Sequence, residues 1–110
     1  MKKIETITAP DQRSAITKVL EDLGLHFTYY DSKGRGTSPT STVEFDRGTD
    51  TMKEEFNINV TIMTVVPDSM EEKVVAKILD MIRGNDGRIF VHEIKEAIDI
   101  RTRERGDAVL

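Results

Sequence analysis

Two segments of the chain have the spacing of a helix with one apolar side. In the first, Asp11 can cap a helix and Gly24 lies where a left-handed C-terminal cap belongs. In the second, Ser69 and Glu72 have capping-box spacing, and the apolar run ends at Gly84. The apolar positions are Ala15, Ile16, Val19, Leu20 and Leu23 in the first segment, and Val74, Val75, Ile78, Leu79 and Ile82 in the second.

Strand-like segments alternate with these two helices. Residues 2–8 and 25–32 are rich in β-branched, aromatic and Thr residues, and residues 57–66, 88–94 and 98–101 complete the set. The order is β-α-β, a loop, β-α-β and a short terminal strand. It predicts an α+β, ferredoxin-like βαββαβ sandwich in one domain, residues 1–110, with the helices on one side of the sheet.

The segment 57–66 has two apolar faces. Val60, Ile62, Thr64 and Val66 share one face, whereas Thr61, Met63 and Val65 share the other. The helices of so small a domain can cover one of these faces. The other therefore hints at a subunit interface.

Residues 34–56, by contrast, are rich in Gly, Ser, Thr and charge and show no sustained apolar period. We expect mostly loop here, and a loop of this length is usually either functional or disordered.

Composition narrows the classes of function. The chain has 110 residues, no cysteine and a net charge of -4, which opposes nucleic acid as a main partner and removes disulfide and thiol chemistry. No apolar stretch is long enough for a membrane span, so we expect a cytoplasmic protein without direct membrane insertion. His26 and His92 have no ligand-like companions, and no nucleophile and base can be paired by spacing; we expect neither a metal site nor an enzyme.

Two segments near the C-terminus carry candidate binding chemistry. The stretch 85–88 is first of all a tight turn, because Asp86-Gly87 favours such geometry, but its backbone N–H groups beside Arg88 can also seat an anion. Arg101, Arg103 and Arg105 alternate at strand spacing, which would place three cations on one face, either as a phosphate site or as a solvated edge.

In motif order and spacing the chain resembles the PII signal-transduction family. The resemblance is carried by MKKIE at 1–5, KGRG at 33–36, VVPD at 65–68, and DGRIFVHEI running into IRTRERGDAVL. It implies a homotrimeric sensor without a resident cofactor, which binds ADP or ATP in clefts between subunits. It also implies a T-loop, here residues 36–56, that docks onto a membrane transporter or a metabolic enzyme.

The resemblance also assigns roles to individual residues. Thr28 matches a threonine that contacts the adenine ring, Gly36 a glycine that lies against the nucleotide, and Val65 a backbone contact, and together they support an adenine pocket. Asp86, Gly87 and Arg88 resemble the phosphate-binding B-loop, and Arg101 matches one of two phosphate-binding arginines, for which Arg103 is a possible second.

Other positions depart from the family pattern. The B-loop is about three residues short, Asp99 replaces the first terminal arginine, and Met63 replaces a glutamate facing the adenine amine. Ser38, Asn59 and Thr51 replace the residues for 2-oxoglutarate and uridylylation, so we expect neither response. A binding module for another ligand, such as a cyclic nucleotide or bicarbonate, and a small phosphohydrolase stay open as alternatives.

Overall fold

The computed structural model describes residues 1–35, 42–44, 51–53 and 56–110, with the backbone alone for 42–44 and 51–53. The strands are β1 (Lys2–Thr8), β2 (Phe27–Gly34), β3 (Thr42–Glu44), β4 (Thr51–Lys53), β5 (Asn57–Val66) and β6 (Gly87–Glu93), and the helices are α1 (Arg13–Asp22) and α2 (Glu71–Met81). The main sheet has the order β2-β5-β1-β6 with every neighbouring pair antiparallel. The expected ferredoxin-like α+β architecture is confirmed.

The core lies between the two helices and one face of the sheet. From the sheet come Ile4, Val60, Ile62 and Val66, and from the helical segments Ile16, Leu20, Val74, Ile78 and Ile82. Burying a side chain of this size contributes about 1.5–3 kcal/mol, so this layer supplies most of the driving force for folding. The face assignment predicted for β5 is confirmed, because residues 60, 62, 64 and 66 are all buried on the helix side.

Gly24 has the predicted capping role. Its φ is 71°, its N–H donates to the Glu21 carbonyl at 2.9 Å, and the Leu25 N–H donates to the Leu20 carbonyl at 2.9 Å. This pair of bonds is the Schellman motif, which a residue with a side chain closes less readily than Gly. The end of α1 was therefore readable from sequence.

The predicted helix starts are wrong. A 3-10 turn, Pro10–Gln12, precedes α1. The N-cap of α1 is Gln12, which makes no side-chain cap bond, so Asp11 does not cap the helix. A second 3-10 turn, Asp68–Met70, precedes α2 and makes Met70 the N-cap, which removes the capping box of Ser69 and Glu72. In both cases the tight turn has already paired the backbone that the side chain was expected to cap.

Two further expectations need correction, and the segment expected to be mostly loop contains a short ladder. Leu79 is 53% exposed, whereas Val74 and Ile78 of α2 and Ile82 at its C-cap are buried in the core. Residues 98–101 form no strand and contribute only an isolated bridge between Ile98 and Arg105. Within the expected loop, β3 and β4 pair as a two-stranded ladder.

Candidate functional site

The sheet face away from the helices brings residues of all four main strands into register. Thr28 of β2 lies opposite Met63 of β5, Met63 opposite Glu5 of β1, and Glu5 opposite Phe90 of β6. Directly opposed residues share a face, so these four side chains form one row across what we call the open face. The row runs from one sheet edge to the other, because β2 and β6 are the outer strands.

Thr28 and Val65 lie together near the β2 edge of the open face. Thr28 is exposed, and Val65 is half-buried two residues beyond its strand partner Met63. A diagonal of this kind separates side chains by about 7–8 Å, close enough for one flat aromatic ligand to contact both. The structure thus brings together two of the three residues expected to form the adenine pocket. The third, Gly36, lies outside the described residues.

The turn into β6 is held tightly against β1. Thr8 is a buried residue, 2% exposed, and its hydroxyl donates a hydrogen bond to the Asp86 carbonyl at 2.8 Å. A Cβ at Gly87 would lie 2.7 Å from the Ile7 carbonyl oxygen, so the close approach of two backbones requires glycine here. Arg88 follows directly opposite Ile7, with its side chain exposed on the open face. The sequence suggested the turn but gave no sign that Thr8 anchors it.

Thr28, which is expected at adenine, and Arg88, which is expected at phosphate, lie at opposite edges of one sheet. Three strand spacings separate β2 from β6, or about 14 Å across the sheet. Met63 and Glu5 lie between these two edges. Met63 is apolar, and Glu5 is a carboxylate paired with Lys3 at 3.5 Å, so neither can donate a hydrogen bond to phosphate. One copy of the chain therefore does not assemble these residues into a single pocket.

Asp99 organises the C-terminal segment that carries the arginines. Its Oδ1 accepts the backbone N–H groups of Arg101 and Thr102, each at 2.8 Å, and its carbonyl accepts the N–H of Arg103 at 2.8 Å. The Thr102 N–H, followed by that of Arg101, holds the pKa of the Asp99 carboxyl below its usual value. Asp99, which departs from the family pattern, thus has a structural role in this chain.

The expected strand of arginines is replaced by this turn. Arg103 has a φ of 65°, which breaks the alternation, and Arg105 is paired with Glu96 at 2.6 Å, so the three guanidinium groups do not share a strand face. The physical reason is the Asp99 carboxylate, which captures N–H groups that a strand would leave for a neighbour. The available signal was Asp99 itself, because an Asp side chain often accepts the backbone N–H groups of residues that follow it by two or three positions.

The three candidate phosphate-binding cations have no ion-pair partner among the described residues. These are Arg88, Arg101 and Arg103, all exposed, whereas Lys2, Lys3, Lys18, Arg83 and Arg105 are paired with carboxylates. In a chain of net charge -4, guanidinium groups without an ion pair are the groups best suited to bind an anionic ligand.

Comparison with known proteins places this geometry in a family. The family model described as nitrogen regulatory protein P-II matches residues 1–104. The chain belongs to the P-II family. Among curated P-II proteins, it is 38% identical to that of Rhodospirillum rubrum over 99% of this chain and 100% of the relative. It is 34% identical to that of Azospirillum brasilense with the same coverage, and 33% identical to P-II 1 of Escherichia coli over the whole of both chains.

Membership of this family of nitrogen regulatory proteins makes the chain a regulatory protein. In the part of the chain that the structure describes, no helix is long and apolar enough to cross a membrane.

Proposed function

We propose that this P-II protein is a cytoplasmic sensor that binds ADP or ATP in the clefts between copies of a homotrimer and acts in nitrogen regulation. The observation that carries the proposal is the separation of Thr28 from Arg88 by the width of the sheet. A second copy that packs its β2 edge near the β6 edge of the first would complete the pocket, and closed homo-oligomers repeat such a contact around their axis.

In this pocket the two groups of residues have different tasks. Thr28 offers a hydroxyl and Val65 its backbone to the adenine edge, while the apolar part of the open face packs against the ring. Arg88 and the N–H groups of the turn at Asp86 and Gly87 receive phosphate oxygens. Arg101 and Arg103 add two cations, with Arg103 in the place of the partner that Asp99 cannot supply.

Binding would be reported through residues 36–56, which connect β2 to β5. Phosphate contacts at the base of this segment, with Gly36 among them, would favour one of its conformations, and exchange of ATP for ADP would favour another. A nucleotide shifts this balance only as far as its affinities for the two conformations differ. The partner is a membrane transporter or a metabolic enzyme, and we propose that neither 2-oxoglutarate nor uridylylation enters the switch.

Mixed oligomers test whether the site is shared. Thr28→Ala and Arg88→Ala damage opposite halves of the pocket, so each variant alone should bind ADP weakly in calorimetry. After joint unfolding and refolding at equal concentrations, about one quarter of the clefts combine an intact Thr28 side with an intact Arg88 side and should regain binding. No recovery despite proven mixing would contradict a shared cleft. Absence of any millimolar binding of ATP, ADP or AMP by the unmodified protein would remove the nucleotide proposal altogether.

A different ligand is the second candidate, because the Asp99 carboxylate is fixed inside the loop that carries Arg101 and Arg103. A carboxylate in the same loop as two of the proposed phosphate-binding arginines favours a ligand of lower charge than ATP, such as a cyclic nucleotide or bicarbonate. A thermal-shift comparison separates the two, since a ligand bound only by the folded state raises its stability. Protection by cyclic AMP or bicarbonate but not by ADP would favour this candidate.

A further inference from the structure

The loop that carries the C-terminal arginines also exposes two isoleucines. Ile100 is 96% exposed, the highest value among the large apolar side chains that the structure describes, and Ile98 in the same loop is 51% exposed. Single exposed apolar side chains are ordinary on a protein surface. Ile100, however, directly precedes Arg101, which is proposed to bind phosphate, so whatever covers Ile100 also affects the position of Arg101.

This loop is closed by its own hydrogen bonds. The Gly106 N–H donates to the Ala97 carbonyl at 3.0 Å, and the Asp99 N–H donates to the Glu104 carbonyl at 2.9 Å. Inside this closure, the Asp99 carboxylate accepts two further N–H groups of the loop. We call residues 97–106 the arginine loop. Because these bonds form within one copy of the chain, the arginine loop loses little conformational entropy when it docks onto another surface.

The arginine loop follows β6 at the end that is far from Arg88. Arg88 is the second residue of β6, and the pairing with β1 continues to Ile94, whose N–H donates to the Met1 carbonyl at 3.0 Å. The extended chain from Arg88 to Ile94 spans about 20 Å. A phosphate site that contains both Arg88 and Arg101 is therefore built most directly from two copies of the chain. A second copy is then the neighbour of the arginine loop.

The arginine loop needs an external contact to hold Arg101 in such a site. Arg101 is exposed and has no ion-pair partner in the part of the chain that the structure describes. Its guanidinium group is therefore not fixed by the copy that carries it. An apolar anchor at the preceding residue would hold the backbone against the neighbouring copy, and the long Arg101 side chain would stay available for phosphate.

We propose that Ile100 is a positioning residue, which packs into the neighbouring copy and so fixes Arg101 in the nucleotide cleft. The inference rests on the proposed function and adds to it the residue that joins assembly to nucleotide binding. Ile100 itself does not touch the nucleotide.

Replacement of Ile100 by serine tests this role. In analytical ultracentrifugation, Ile100→Ser should raise the protein concentration at which the assembly dissociates about tenfold or more, because it removes the burial of an isoleucine side chain. In equilibrium dialysis with labelled ADP, the variant should bind more weakly than the unmodified protein at low protein concentration. ADP binding should recover at high protein concentration, since assembly follows mass action. Ile100→Val, which keeps an apolar side chain, should retain most of both properties.

Arg101→Ala and Leu79→Ser are the controls. Arg101→Ala removes a phosphate contact, so its ADP binding should stay weak at every protein concentration while its assembly is unchanged. Leu79→Ser, at a 53% exposed position of α2, should change neither property. Circular dichroism at the highest protein concentration checks that each variant is folded.

Unchanged assembly of Ile100→Ser would overturn the inference, and so would a loss of ADP binding that high protein concentration does not restore. Failure of the proposed function has a different signature, because the unmodified protein would then assemble without binding ADP. Ultracentrifugation of Ile100→Ser would still decide whether Ile100 packs against a neighbouring copy. An unmodified protein that stays monomeric at all concentrations would overturn both proposals.

Discussion

Replacement of Gly87 by alanine tests whether close packing of β6 on β1 holds the proposed phosphate-binding turn in place. The new Cβ would lie 2.7 Å from the Ile7 carbonyl oxygen and 3.0 Å from both Cβ and Oγ1 of Thr8. The oxygen belongs to β1, which is paired on both sides and cannot retreat. The edge strand β6 must therefore peel away at this end.

The expected cost follows from what peeling breaks. It removes the pairing of Gly87 with Thr8 and leaves the buried Thr8 hydroxyl without its hydrogen-bond partner, the Asp86 carbonyl at 2.8 Å. Overpacking and an unsatisfied buried hydroxyl each cost about 1–3 kcal/mol. Because moving β6 away relieves the clash but breaks the hydrogen bond, the two costs do not simply add, and we expect the free energy of unfolding to fall by about 3 kcal/mol. With a urea dependence of about 1.5 kcal/mol per molar, the midpoint of unfolding should fall by about 2 M.

Gly84→Ala supplies the control. Gly84 has a φ of 82°, and a Cβ added there would have no atom within 4 Å, so alanine meets the backbone penalty without the clash. That penalty is about 1 kcal/mol, or a midpoint shift of about 0.7 M. Both variants should be unfolded at one protomer concentration, because assembly contributes to apparent stability. Equal midpoints for the two variants would refute the role given to the contact with β1.

Three further predictions concern the core and the C-terminal loop. Ile78→Ala should cost about 2–5 kcal/mol in urea unfolding, because Ile78 is 1% exposed, whereas Leu79→Ala at the exposed neighbour should stay within about 0.5 kcal/mol. Arg103→Gly removes the strain of a φ of 65° but raises the conformational entropy of the unfolded chain, so the free energy of unfolding should change by less than about 1 kcal/mol. The ADP affinity measured by calorimetry should fall, and an unchanged affinity would exclude Arg103 from the site. The lowered pKa of Asp99 means that its stabilising effect is full above the ordinary value of 3.8 and is lost as pH falls through the lower folded-state value. Melting curves of Asp99→Ala and the unmodified protein should therefore differ most near neutral pH and converge in acid, and a constant difference would count against the bonds to Thr102.

Much of the fold could be predicted because its determinants are local. The helical stripe containing Ile16 and Leu20, the Schellman glycine Gly24 and the alternation through β5 each depend on residues within a few positions of one another. The first residues of the helices could not be predicted, because Asp11 and Ser69 suit an N-cap as well as a 3-10 turn. The packing of each turn on the sheet decides which of the two forms.

The sequence by itself pointed to Gly87 and Arg88 at a turn and to Arg101 near the C-terminus as candidate binding residues, and its resemblance to the P-II family added Thr28 and Val65 on strands. Only the tertiary structure decided how they are arranged, because strand order and register depend on contacts between residues far apart in the chain. It places Thr28 and Arg88 at opposite edges of the sheet and presses Gly87 against β1. The Asp99 carboxylate likewise turns the expected arginine strand into a closed loop, since one side chain that accepts two backbone N–H groups outweighs a weak preference for extended structure.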